Sequence, residues 1–300
     1  MVHGPKKQAI FTSAGCSSSL KTIILKIMGR VMPSVFEEII AGVIEDVAAR
    51  ESVVSFKEIK ARSRACEPPR DAIAALLNSG CGVIAEIKRA APDKGVLAEI
   101  NSPVGLAKEL VAGGASLIAC QTERRRFHGS LSEMAEIRNV ISVPIMCRDF
   151  IVDPYQIHEA RCYGADMVPL RVAALDQARM IALIDRIESL GMAALVEVRD
   201  TEEASRAVAA GAKIIGVNAR DFSTMTLNRL AFAEIAPGLP TDVIRVALSG
   251  VRNARELLDY AASGADAVVV GEKIVTAADP CEATRSLVAA GQHPSCPSRG

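Results

Sequence analysis

The chain has no tryptophan, and only 3% of its residues are aromatic. Stacking on nucleic-acid bases therefore has few candidates, and no nucleic-acid partner is expected. Basic and acidic side chains balance at 35 each, so no strong field points toward nucleic acid or an anionic membrane surface. Long apolar runs are missing too. A stretch such as "AVVVG", 267–271, is far too short to span a bilayer, and no membrane association is expected. Eight cysteines occur without a CxxC or other metal-ligand spacing. They imply no metal site, and in a chain this large they read as reduced thiols of a cytoplasmic protein.

What is present is a large apolar fraction, 50% of 300 residues, within reach of a single α/β barrel. Residues 1–31 stand apart: basic, serine-rich and without an acidic side chain. They read either as a transit-type leader or as a segment upstream of a start at Met32. The expected folded domain is 32–292, with a tail at 293–300.

One pattern recurs along that domain: a helix ends in Gly-Ala, a polar residue follows, and an apolar run begins. It is written as "GGASLIAC", "YGADMVPL", "AGAKIIGV" and "SGADAVVV". Glycine suits the left-handed position just past a helix end. Runs apolar on both faces suit parallel strands covered by helices. Strands are expected at 83–88, 116–121, 143–148, 166–171, 194–198, 213–218, 243–248 and 267–271. Helices are expected near 103–113, 131–141, 154–163, 176–190, 201–210, 229–236, 252–263 and 279–290. Eight alternating units predict a (β/α)8 TIM barrel, with extra N-terminal helices in "SVFEEIIAGVIEDVAARE", "SFKEIKARSR" and "RDAIAALLN".

Chemistry in such barrels sits at the C-terminal strand ends. The polar residues there are Glu86 and Lys88, Arg148, Arg171, Glu197, Asn218 and Arg220, and Ser249 with Gly250. One such charge could simply reach solvent. Polar residues at the ends of six strands, five of those ends charged, set among apolar neighbours, call for partners or a ligand. The segments "LSGVRNARELL" and "VGEKIV" follow strands seven and eight, where barrels often bind phosphate through backbone N–H groups. Gly250 and Gly271 would permit close approach there.

These pieces, in this order, resemble indole-3-glycerol phosphate synthase: "VIAEIKRAAPDKG", "RRRFHGSL", "RDFIVDPYQIHEARCYGADM", "LVEVRD", "GAKIIGVNARDF", and "LSGV" followed by "VVGEKIV". The resemblance spans about residues 34–292. It implies a carbon–carbon lyase of tryptophan biosynthesis that needs no cofactor or metal. The substrate would be 1-(2-carboxyphenylamino)-1-deoxyribulose 5-phosphate, closed to an indole with loss of carbon dioxide and water. By position, Glu86, Lys88, Arg148, Glu197 and Asn218 would be catalytic. Phe127, Phe150, Arg171, Arg220 and Leu248 would meet the substrate, with the two phenylalanines as the wall for its aryl ring. Ser249, Gly250, Gly271 and Glu272 would take its phosphate. A small phosphorylated molecule is the expected partner, to a monomer or weak homo-oligomer.

The resemblance breaks at the mouth. The family's pattern has lysine where this chain has Arg148, and a glutamate where it has Leu248. It has Ser-Pro-Ser where Ala91, Pro92 and Asp93 stand, and apolar residues where Pro169 and Arg171 stand. Arginine holds its proton too tightly to act as a general acid, but it can clamp anions through paired hydrogen bonds. The gained cation and lost carboxylate imply a more anionic ligand than usual. Two other readings follow: a paralog recruited to another anionic sugar phosphate, or a non-catalytic phosphate-ligand binder.

Overall fold

The computed structural model describes residues 33–77, 80–294 and 296. The expectations for residues 1–31 lie outside the described residues, as does most of the expected tail. Cys296, within that tail, is buried, and its N–H donates to the His293 carbonyl at 2.8 Å.

Eight parallel strands close into a barrel in sequence order: β1 (Gly82–Ile87), β2 (Leu117–Gln121), β3 (Ile145–Arg148), β4 (Met167–Arg171), β5 (Ala193–Val198), β6 (Ile214–Asn218), β7 (Ile244–Leu248) and β8 (Ala267–Val270). Helices alternate with them. Gly114, Gly164, Gly211 and Gly264, the glycines of the recurring pattern, all take positive φ between 78° and 94°. That left-handed turn ends each helix and aims the chain into the next strand.

Strand alternation sorts the core into two shells. Val83, Ala85 and Ile87 of β1 face the surrounding helices. Ile84 faces inward with Leu117, Met146, Leu195, Ile214, Val246 and Leu248. Three N-terminal helices extend this core. In α1 (Val35–Val53), Ser34 and Glu37 form a reciprocal cap, and Ile39, Ile40, Val43 and Val47 pack with Phe127, Phe150 and Tyr155. From α2 (Phe56–Arg64), Phe56 sets its ring edge-on to His158 of the barrel helix Pro154–Cys162. Ala72 and Leu76 of α3 (Ala72–Leu76) join the interior shell.

Element edges differ from expectation by one to three residues, the helix expected at 131–141 ending at Arg138. The helix expected at 229–236 is shorter, Ala231–Ile235, and tightens into a 3-10 turn at Ala236–Gly238. Pro237 cannot donate to a continuing α-helix. Besides a 3-10 turn at Val172–Ala174, two larger elements were not anticipated: a hairpin pairing Ala90–Ala91 with Gly95–Val96, and a short helix Glu272–Val275 after β8. Both lie at the end of the barrel that carries the site. No helix among the described residues is long and apolar enough to cross a membrane.

Candidate active site

Register places the polar strand ends in one layer. Gln121 pairs in register with Arg148, Arg171 with Glu197, and Asn218 with Leu248. Inside that layer the side chains form a continuous network. Lys88 Nζ lies 2.9 Å from Glu86 Oε2, and Gln121 Nε2 donates to Glu86 Oε1 at 3.0 Å. Arg148 Nε donates to the same Oε1 at 3.4 Å, while its Nη1 donates to Glu197 Oε1. Asn218 Nδ2 donates to Glu197 Oε2 at 3.2 Å, and Ser249 Oγ donates to Asn218 Oδ1 at 3.0 Å. Hydrogen-bonded side chains thus run from β1 across the barrel to the loop after β7.

Glu86, Arg148, Arg171 and Glu197 are buried, so their state follows from their partners. Burial alone would raise the Glu86 carboxyl; the Lys88 ammonium and Arg148 guanidinium outweigh it and bring it down to about 2. Burial likewise works to raise Glu197, and Arg148 and Arg171 overcome it and hold it below the usual range. Arg148 rises despite burial, because Glu197 and Glu86 flank it. Arg171 falls to about 10: burial outweighs the pull of Glu197, and Arg148 repels it. Both glutamates are therefore carboxylates, and they face three cations.

Above the layer opens a cleft of about 260 Å³. Glu86, Lys88, Phe127, Arg148, Arg220, Ser249, Gly250, Gly271 and Glu272 line it, so nine of the residues expected from sequence meet at one mouth. Glu197, Asn218 and Arg171 line a small separate pocket that shares Arg220 and Phe222 with the wall of the cleft. Two expected contact residues sit deeper. Leu248 is 1% exposed in the barrel interior, where its side chain fills the space over Gly216. Phe150, 2% exposed, is the hub of an aromatic cluster, with ring centroids 5.7–6.2 Å from Phe36, Phe127 and Phe222.

The loops after β7 and β8 differ in what their glycines do. Ser249 and Gly250 take consecutive positive φ, 68° and 95°. For serine that conformation is strained, and it turns the chain sharply at the rim. Gly271 has ordinary φ. A Cβ there would sit 2.3 Å from Glu86 Oε2, so the close approach that needs glycine is made by Glu86. Several cleft cations had no sequence signal of their own: Lys94, Arg229, Arg252 and Lys273. With Lys88, Arg148 and Arg220 they make seven cations against three carboxylates along the cleft. Such a cleft draws in anions. The unanticipated hairpin spans it by two ion pairs, Asp93 to Arg220 at 2.5 Å and Lys94 to Glu272 at 2.6 Å. Among the described residues no group of three His, Cys, Asp or Glu side chains is placed to hold a metal ion.

Solved structures with this fold include a 3-hexulose-6-phosphate synthase and a thiamine phosphate pyrophosphorylase from Pyrococcus furiosus. Each has TM-score 0.55 and 18% identity; they cover 70% and 73% of this chain and 99% and 96% of their own. At that identity the likeness is one of fold. Sequence comparison reaches further. The family model for indole-3-glycerol phosphate synthase matches residues 36–287. The indole-3-glycerol phosphate synthase of Rhodococcus opacus (strain B4) is 57% identical over 264 residues, 88% of this chain and 98% of its own. That of Mycobacterium avium (strain 104) is 56% identical over 88% of this chain and 97% of its own. With strand ends, rim loops and N-terminal helices all inside the matched span, the chain belongs to the indole-3-glycerol phosphate synthase family.

Proposed function

We propose that this chain is a carboxy-lyase of tryptophan biosynthesis that closes the indole ring of 1-(2-carboxyphenylamino)-1-deoxyribulose 5-phosphate. The observation that carries the reading is the continuous network from Lys88 to Ser249, set under a cationic cleft. It joins a proton donor at one end to a phosphate-sized rim at the other.

In the reaction, the ring carbon bearing the carboxylate attacks the ketone carbon, and the ketone oxygen takes a proton. Carbon dioxide leaves, and its bonding electron pair restores the aromatic ring. The new hydroxyl then departs with a second proton as water, while a proton leaves the neighbouring carbon, giving the indole double bond. Lys88 is the one amine in the layer and the group able to give a proton to the ketone oxygen; Glu86, 2.9 Å away, positions it. Arg148 keeps its proton and acts as a fixed positive charge facing the substrate carboxylate and the developing oxyanion. Glu197 accepts the departing carbon-bound proton. Two guanidiniums hold it as a weak base. Asn218 and Ser249 fix Glu197 and the rim together. The phosphate lies at Ser249 and Gly250, with Arg229, Arg252 and Lys273 supplying charge, and Glu272 and Gly271 closing the far side. Phe127 and Phe222 wall the aryl ring, and Phe150 and Leu248 support that wall from beneath.

The chain would act as a monomer or weak homo-oligomer of the cytoplasm. The test is conversion of the substrate by the purified chain, followed by indole fluorescence. Absence of conversion would overturn the reading.

A further inference from the structure

The charged layer does not balance. Glu86 is shared by Lys88 and Arg148, and Glu197 by Arg148 and Arg171. Three cations therefore face two carboxylates in the layer, with both arginines and both glutamates buried, Lys88 part-exposed at the cleft, and the Asp149 carboxylate adding attraction on Arg171 from outside the layer. A buried excess charge is costly unless a counter-ion completes it.

The side chain with the poorest partners is Arg171, at 7% exposure. Its Nη1 donates to the Asp149 carbonyl at 2.8 Å. Its Nε lies 3.2 Å from Glu197 Oε2 but is not aligned for a hydrogen bond, and is left without an acceptor. The neighbouring Asp149 carboxylate is engaged elsewhere, by Thr122 Oγ1 and by the Phe150 N–H. The guanidinium lies over Phe150, 3.8 Å from its ring centroid, and 5.5 Å from that of Phe222. It borders the small pocket between Phe36 and Phe222. A cation therefore stands among the aromatic rings that, on the reading above, receive the aryl end of the substrate.

We infer that Arg171 determines specificity: it selects an arylamine sugar phosphate whose ring carries an anionic or hydrogen-bond-accepting substituent on the edge away from the amine. An unsubstituted ring would meet the guanidinium plane and leave its donors and its charge unanswered. A carboxylate or phenolic oxygen at that edge would answer both, and the stacked Phe150 face would keep the guanidinium in place. The inference rests on placing the aryl ring at this end of the cleft.

The experiment uses two unreactive probes, the ketone-reduced form of the carboxyphenylamino-deoxyribulose phosphate and its analogue with a second ring carboxylate. Both are titrated calorimetrically into the full chain and into Arg171→Leu. The wild type should bind the dicarboxylate about ten- to a hundredfold tighter than the monocarboxylate, the range for one charge-assisted contact. Arg171→Leu should cut that ratio at least tenfold, with the monocarboxylate bound as well or better. A purely structural Arg171 would weaken both probes alike and leave the ratio unchanged, which would overturn the inference. So would wild-type preference for the monocarboxylate. Turnover of the unsubstituted substrate is measured in parallel. If turnover fails while the ratio still responds to Arg171, the proposed reaction is wrong and the specificity assignment stands. If neither probe binds, both are wrong.

Discussion

Arg148 bridges Glu86 of β1 and Glu197 of β5, residues 62 and 49 positions away along the chain. Arg148 reaches them with two separate nitrogens, Nε and Nη1, whereas a lysine would have to bridge both carboxylates from one. The substitution that removes a proton donor from the layer thus also installs a clamp, and the clamp lowers the proton affinity of both glutamates.

Restoring the family pattern should therefore require two changes. Arg148→Lys returns an ammonium able to give up its proton when desolvated, but it leaves Glu86 and Glu197 sharing one nitrogen. Leu248→Glu adds a third carboxylate against the three cations, in space now filled by apolar packing with Leu195 and over Gly216. Each single change should move turnover little. The double variant should gain about ten- to a thousandfold, the scale of one acid–base contribution. Steady-state rates of the four proteins check this, and additive small effects would contradict it.

The hairpin latch should compete with substrate. Asp93 holds the Arg220 guanidinium at 2.5 Å, with both side chains about one-fifth exposed. Asp93→Ser should free that cation and lower KM for the phosphorylated substrate about two- to fivefold, as expected for a partly exposed ion pair. The effect should shrink as salt rises. An unchanged or higher KM would show that Asp93 helps rather than hinders binding.

Acid should loosen the N-terminal helices first. His158 is fully buried against α2; its Nδ1 lies 2.7 Å from Ser63 Oγ, and its Nε2 has no partner. Burial, with Arg186, Lys60 and Arg64 adding repulsion, depresses it to about 4. A depressed folded-state value means that stability is present above the unfolded value, near 6.5, and is lost as pH falls toward 4. The loss should reach about 3 kcal/mol. Urea unfolding at pH 7, 5.5 and 4 should show it, and His158→Gln should flatten the profile. Parallel profiles for the two proteins would assign the acid loss to other groups.

Much of this was legible in the chain because barrels write their pattern locally. Each Gly-Ala marks a helix end, and each apolar run ends in a residue aimed at the mouth, so Glu86, Lys88, Arg148, Glu197 and Asn218 could be named before any coordinates. What those side chains do to one another could not be read, because pairing is set by barrel closure. Sequence shows that Arg148 is a poor acid, but not that it joins two carboxylates. Arg229, Arg252 and Lys273 lie in rim loops and helices, where a charge is ordinary, and only the closed rim brings them to one cleft. Gly271 shows the same limit: its lack of a side chain was traced to a ligand, whereas Glu86 fills that space. Phe150 is covered by the cluster under the N-terminal helices and Leu248 by the barrel interior, and that covering comes from residues far away in the chain, so it has no local sequence signature.

The most direct test of Lys88 as the proton donor is turnover of the carboxyphenylamino-deoxyribulose phosphate by the wild type and by Lys88→Met, side by side, with indole fluorescence as the signal. The expected result is measurable turnover by the wild type and a loss of about 10²–10⁴-fold in the variant, with KM changed far less. Turnover undiminished in Lys88→Met, or none in the wild type, would contradict it.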